Sequence, residues 1–198
     1  MKVEIRSNGS VVISGYVNAV ERDSRVLPKR MCPDATGDFV ERVKAGTFTK
    51  ALSRGHPIEA RFNHGRRVGG TDDGTLVLRE DNIGLHATLK TSDPEVAGHA
   101  RRKELRGWSF GFVKIADEWE SAGENLQRRT LEDIDLGEVS VLTECPAYIG
   151  TSVEMRGEDT TTRETRGAED DAQEIVEAAD ESARMSEIEI LKMRGKKE

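Results

Sequence analysis

The sequence is poor in the residues that build crosslinks, metal sites and membrane spans. Its 198 residues include two cysteines, Cys32 and Cys145, too few for a disulfide framework or a zinc knuckle. No apolar run is long enough to cross a bilayer. Basic residues are nowhere gathered into the patch that marks a nucleic-acid binder. The opening residues, MKVEIRSNGSVVISGY, alternate apolar and polar positions and contain no signal-peptide core. The expectation is an intracellular, soluble protein that contacts neither nucleic acid nor membrane. Aromatic residues are scarce at 5% and absent from 157–198. Histidine is also scarce: all four residues, His56, His64, His86 and His99, lie before residue 100.

Apolar residues make up 35% of the chain and charged residues 34%, a polar balance which suggests that part of the chain does not pack. The acidity is uneven. Residues 157–198 carry 13 acidic and 7 basic side chains, whereas 1–156 carry 24 and 23. The expected division is therefore a folded body, 1–156, and a tail, 157–198. The tail opens with GEDTTTRETRGAEDD, which reads as a flexible linker. It continues with an acidic, helix-prone stretch that turns basic, matching a helix dipole. That stretch could be a lone helix, a coiled-coil strand, or a segment that orders on binding.

The body reads mainly as strands: 11–20, 58–64, 75–80, 84–90, 108–115 and 137–143 are short, rich in β-branched or aromatic residues and separated by turn residues. Two segments read as helices. In 38–55, Phe39, Val40, Val43, Phe48, Ala51 and Leu52 recur at helical spacing, with Gly46 as a weak point. In 92–107 a Ser/Asp cap and Pro94 open the helix and Gly107 closes it. Strands without regular intervening helices suggest a closed barrel or a sandwich, so the fold class is mainly β with helices, α+β.

RGWSFGFVKI, residues 106–115, contains Gly107-Trp108-Ser109-Phe110-Gly111, a G-x-S-x-G pattern. In an α/β-hydrolase the acid and histidine follow that serine; here no histidine follows it, and the next residues, FVKIADEW, are strand-like. As a strand, the stretch puts Trp108, Phe110 and Phe112 on one face and Gly107, Ser109 and Gly111 on the other. A hydroxyl between glycines leaves room for an extended peptide backbone, which makes Gly107 and Gly111 candidate substrate contacts. The plainer reading is a strand with small residues under a neighbouring element.

His64, in IEARFNHG, shares strand parity with Ile58, Ala60 and Phe62. It is either a satisfied core histidine or the base for a serine. Glu138 shares parity with Ile134, Leu136, Ser140 and Leu142 if no bulge falls at Gly137. An inward carboxylate needs a partner, and an imidazole would serve. With a bulge, Glu138 would instead be solvated.

FNH at 62–64, GLHATLK after an acidic turn, GWSFGF at 107–112 and LGEVSVLTECPAYIGTSVEMR at 136–156 occur in an order and spacing that resembles the prohead (capsid-maturation) proteases of HK97-type tailed bacteriophages, similar in fold to herpesvirus assemblin. The resemblance covers roughly 11–156. It implies a small closed β-barrel wrapped by helices, and a serine endopeptidase with Ser109 as nucleophile and His64 as base. Assemblins use a second histidine as third member; this chain has none after Ser109, so Glu138 is the choice and Ser140 the reserve. The turn Pro146-Ala147-Tyr148 reads as a strand stop. No metal or cofactor is implied. The implied substrates and partners are the capsid scaffold, as a separate protein or part of the major capsid protein, and the protease itself. Residues 160–162 are a place to look for self-cleavage. The implied location is the host cytoplasm, inside the assembling procapsid, and a homodimer is expected by analogy. The competing expectation is a non-catalytic scaffolding module that keeps only the fold.

Overall fold

The computed structural model of the chain describes residues 1–123, 125–143, 152–155 and 163–166, the last two segments as backbone only. In chain order the elements are β1 (Lys2–Ile5), β2 (Val11–Ala19), β3 (Phe39–Val43), α1 (Thr47–Leu52), β4 (Glu59–Phe62), β5 (Arg67–Gly70), β6 (Leu76–Glu80), β7 (Gly84–Thr91), α2 (Pro94–Arg101), β8 (Gly107–Gly123), β9 (Leu126–Leu142), β10 (Ser152–Met155) and β11 (Arg163–Arg166). This is the mixed, mostly stranded α+β class expected. Most of 157–198, including the helix-prone stretch, and the 146–148 turn lie outside the described residues. Part of the stretch read as a linker, Arg163–Arg166, forms β11.

The strands form two sheets. One runs β1-β2-β7-β6; the other runs β10-β11-β8-β9-β4-β5, with β3 also pairing β9. Their facing surfaces make one core. Val11, Ile13, Leu85, Ala87 and Leu89 come from the first sheet, and Trp108, Phe110, Phe112, Leu136, Val139 and Val141 from the second. Each large side chain buried there contributes about 1.5–3 kcal/mol.

The closed barrel is not found among the described residues. At one seam β5 approaches β6 and β7, but threonine hydroxyls replace ladder bonds. Thr91 Oγ1 donates to the Val68 carbonyl at 3.0 Å, and Thr75 Oγ1 accepts from the Gly70 N–H at 2.9 Å. At the other seam the segment after β2 crosses to β3, through the Glu21 N–H to the Val43 carbonyl (2.8 Å) and the Ser24 N–H to the Glu41 carbonyl (2.7 Å). These isolated bonds join two sheets at their corners without a continuous ladder. Nor do helices wrap the strands, since the described residues hold only two short α-helices.

The helix expected over 38–55 is half strand. Phe39, Glu41 and Val43 are each fully buried and follow a period of two, because β3 pairs in parallel with β9. Phe39, Val40 and Val43 keep helical spacing, and the strand's own alternation is hidden because it runs through a charged residue, Glu41. Gly46, in the left-handed region at φ 87, then breaks the strand from α1. The second helix forms as read. The Asp93 carboxylate accepts from the Glu95 and Val96 N–H groups and Pro94 sits in the first turn. It ends at Arg101, earlier than expected. The largest element was only partly anticipated: β8 and β9 are 17 residues each and pair along nearly their whole length.

Candidate active site

Three strands define the site. In the β8–β9 ladder, Ser109 pairs with Ser140 and Gly111 with Glu138; in the parallel β4–β9 ladder, Glu59 pairs with Glu138 and Arg61 with Ser140. Residues opposite one another in a ladder point to the same face. Glu59, Arg61, Ser109, Gly111, Glu138 and Ser140 therefore share one face. Ala60, Phe62, Trp108, Phe110, Val139 and Val141 share the other, which is core. The split of β8 into an aromatic core face and a Gly-Ser-Gly face is as the sequence predicts.

His64 does not lie on the face that its parity suggests. β4 stops at Phe62, and Asn63 (φ 47) and His64 (φ 54) are both left-handed. Such backbone costs about 1–3 kcal/mol per residue unless held. The holding contacts are visible: the Asn63 N–H donates to the Val141 carbonyl at 3.0 Å, its Oδ1 accepts from the Thr143 N–H at 3.0 Å, and its Nδ2 donates to Thr143 Oγ1 at 3.1 Å. The turn swings the imidazole from the core side to the polar face. There Nδ1 lies 2.9 Å from Glu138 Oε1.

Glu138 also arrives by a route that parity misses. The β8–β9 register steps from Gly111↔Glu138 to Phe112↔Leu136, leaving Gly137 without a partner. That bulge puts Leu136 in the core and Glu138 on the opposite face. The expectation conditional on an unbulged strand thus fails. The solvated alternative fails too, because Glu138 is 1% exposed. Its carboxylate is held by His64 at Oε1, by Arg61 Nε at Oε2 (3.0 Å), and by the Ser140 hydroxyl, 3.4 Å from Oε1. Arg61 Nε also reaches Glu59 Oε2 at 2.7 Å. Arg61 and Glu59 have no part in the expectation drawn from the sequence. The signal for them was their alternation with Ala60 and Phe62 in EARF, two charges on the non-core face of a strand.

The carboxylate can only accept, so the Nδ1 atom of His64 donates and Nε2 carries the free lone pair in the neutral ring. Nε2 is buried and has no hydrogen-bond partner among the described residues. This is the arrangement a general base needs: one nitrogen oriented by an acid, the other ready to accept. The structure thus brings His64 and Glu138 into contact and sets Ser109, fully buried, on their sheet face. No hydrogen bond joins Ser109 to Nε2. Ser140, the reserve, sits beside Glu138 and opposite Ser109, bonded to the former.

On its other edge β8 takes an extended segment of the same chain. β11 runs antiparallel to it, with Thr165 opposite Gly111, Glu164 opposite Phe112 and Arg163 opposite Val113. Two clefts on the described surface lie away from these groups. One of about 490 Å³ is lined by Thr36, Trp119 and Gln127, and one of about 620 Å³ by Arg67, Asp73 and Lys90.

Neither a curated protein nor a solved structure gave a match to the chain. The model of one protein family, described as caudovirus prohead serine protease, matches residues 1–166. That span takes in β4 and the turn after it with His64, β8 with Ser109 and β9 with Glu138, and most of the chain besides; the protein belongs to the caudovirus prohead serine protease family.

Proposed function

We propose that this protein is a serine endopeptidase of capsid maturation in which Ser109 is the nucleophile, His64 the general base and Glu138 the residue that orients the base. The observation that carries the proposal is the Glu138–His64 hydrogen bond, which leaves a buried, unpartnered Nε2 on the sheet face of Ser109. In the first step Nε2 takes the Ser109 proton as Oγ bonds to the substrate's carbonyl carbon. Collapse of the tetrahedral intermediate breaks the C–N bond, and the imidazolium returns its proton to the leaving amine. Water, deprotonated by the same nitrogen, then releases the acyl group from Ser109. Glu138 stays ionised throughout and stabilises the imidazolium.

The substrate is an extended peptide. The β11 segment beside β8 supports this, since the edge next to Ser109 accepts an extended backbone. Gly107 and Gly111, which flank Ser109 on its sheet face, are the proposed contacts of that backbone. Membership of the prohead protease family supports the capsid scaffold, free or as part of the major capsid protein, as the substrate, with the protease itself as a second one. The same membership supports a location inside the assembling procapsid in the host cell, and a homodimer remains part of the proposal by analogy. The decisive experiment pairs wild type and Ser109→Ala with capsid protein. Scaffold processing by the variant overturns the assignment.

One observation favours the second reading, a non-catalytic assembly module: Ser109 has no exposed surface. Labelling the folded protein with a fluorophosphonate, before and after assembly with capsid protein, separates the two. An adduct at Ser109 in either state supports the protease, and none in both supports the module.

A further inference from the structure

We infer that Arg61 is a positioning residue for the base, holding the Glu138 carboxylate toward His64 and cancelling the charge of a second carboxylate, Glu59. The inference rests on the catalytic reading above and adds a residue that reading does not use.

Glu59 and Glu138 are direct partners across the parallel β4–β9 pair, where like charges destabilise. Arg61, two residues along the same face, places its Nε 2.7 Å from Glu59 Oε2 and 3.0 Å from Glu138 Oε2. One guanidinium nitrogen hydrogen-bonds to Glu59 and makes an ion pair with Glu138. This contact takes the oxygen of Glu138 that His64 does not use, which fixes the carboxylate's rotation and leaves Oε1 for Nδ1. The Arg61 side chain is 26% exposed and that of Glu138 2%, so the charge compensation acts in a medium much less screening than water.

The charge count explains why a second acid is present and why the arginine must be there. Glu59, Glu138 and Arg61 together carry one net negative charge beside a neutral imidazole. Proton transfer from Ser109 makes an imidazolium, and the cluster becomes neutral at the step that needs stabilising. Without Arg61, two carboxylates would face one imidazole, and both favour its charged form. An already charged ring cannot take the serine proton. The other ions near the turn are engaged elsewhere. Arg67, opposite Arg61 in the β4–β5 pair, reaches Asp72 (2.5 Å) and Asp73 (3.1 Å). Arg66 is held by Asp93 and by Glu95 (2.7 Å), and His99, whose ring packs against Phe62, is held by Glu104 (2.6 Å). Among the described residues, Arg61 contacts both Glu59 and Glu138.

The test is the pH dependence of kcat/KM on a scaffold-derived peptide. In Arg61→Gln the acid limb should move to higher pH by about one unit, the size expected for one charge lost at a partly screened site. Arg61→Lys keeps the charge and should keep the limb. Glu59→Gln combined with Arg61→Gln restores the charge count and should bring the limb back toward wild type. A purely structural arginine would lower Tm in all three and leave the limb in place, which overturns the inference. An activity-free readout is the NMR titration of the His64 ring in the full-length Ser109→Ala protein. Its midpoint should rise when Arg61→Gln is added; an unchanged midpoint overturns the inference even if Ser109 proves to be the nucleophile. If Ser109→Ala still cleaves scaffold, the catalytic reading fails by itself and the titration still reports on Arg61.

Discussion

Ser109 and Ser140 are cross-strand partners in the β8–β9 ladder, and neither has any solvent-exposed surface. Two hydroxyls thus share the face that carries His64 and Glu138, and they should differ sharply in consequence. The Ser140 hydroxyl donates to the Glu138 carboxylate at 3.4 Å, a long bond. Ser140→Ala should keep kcat/KM within about tenfold and cost about 1 kcal/mol of stability. Ser109→Ala should lose at least about a thousandfold. Steady-state kinetics on the two variants decides between them, and the opposite ranking would move the nucleophile to Ser140.

Asn63 is the second place to test. Its side chain ties the left-handed turn to Thr143 at the end of β9. Asn63→Ala should cost about 1–2 kcal/mol in urea unfolding. It should also lower kcat by about tenfold or more, because the imidazole is displaced from its working geometry. Unchanged kcat with lowered stability would mean that the turn serves only the fold.

The long hairpin contains a buried ionic cluster remote from the chemistry. Arg129 and Glu41 are both fully buried, 3.1 Å apart, and Arg129 Nε donates to Asp117 at 2.7 Å while its guanidinium lies over the Trp119 ring. Arg129→Met should cost about 3–5 kcal/mol, since it removes the buried cation that faces the buried Glu41 carboxylate, and Arg129→Met with Glu41→Leu should recover much of that. Thermal unfolding of the single and double variants measures both.

Several aspartates are set to make the fold acid-sensitive. The Lys50 ammonium and the Arg54 guanidinium hold the Asp133 carboxyl below its usual range. Arg66, with the Val96 and Glu95 N–H groups at the start of α2, does the same for Asp93. A depressed carboxyl contributes stability fully above its unfolded-state pKa, about 3.9, and loses it as pH falls through the lower folded value. Stability should therefore drop as pH falls below about 4. Asp133→Asn should be less stable than wild type at neutral pH and show a shallower acid loss. Equal slopes in urea titrations at several pH values would refute this.

How much of this was legible in the sequence depended on whether the backbone kept its period. Trp108, Phe110 and Phe112 could be assigned to the core because β8 alternates without interruption through them. Asp93 and Pro94 announced α2 because caps act locally. Phe39–Val43 misled because its three apolar residues keep helical spacing while the strand's alternation runs through the charged Glu41, and the parallel partner that settles the matter lies on β9, more than 80 residues away. His64 and Glu138 were named as a pair, yet each reaches the site through an interruption of regularity: two left-handed residues in one case and an unpaired Gly137 in the other. Parity put both on the core face, and two departures from parity brought them together on the other. Arg61 stayed hidden because its meaning depends on which residue faces Glu59.

His64 and Glu138 are 74 residues apart in the chain, and β4, which His64 follows, pairs in parallel with β9, so nothing local can bring them together. Closing a loop of that length costs about 4 kcal/mol in chain entropy, and pairings so distant in sequence form slowly. A growing chain that has just completed β8 already carries Ser109 and His64 but still lacks Glu138 and its bulge. Synthesis order and slow strand pairing therefore act together as a clock. The base acquires its orienting acid only once β9 has been made and docked, after every other described strand of the site is already in the chain.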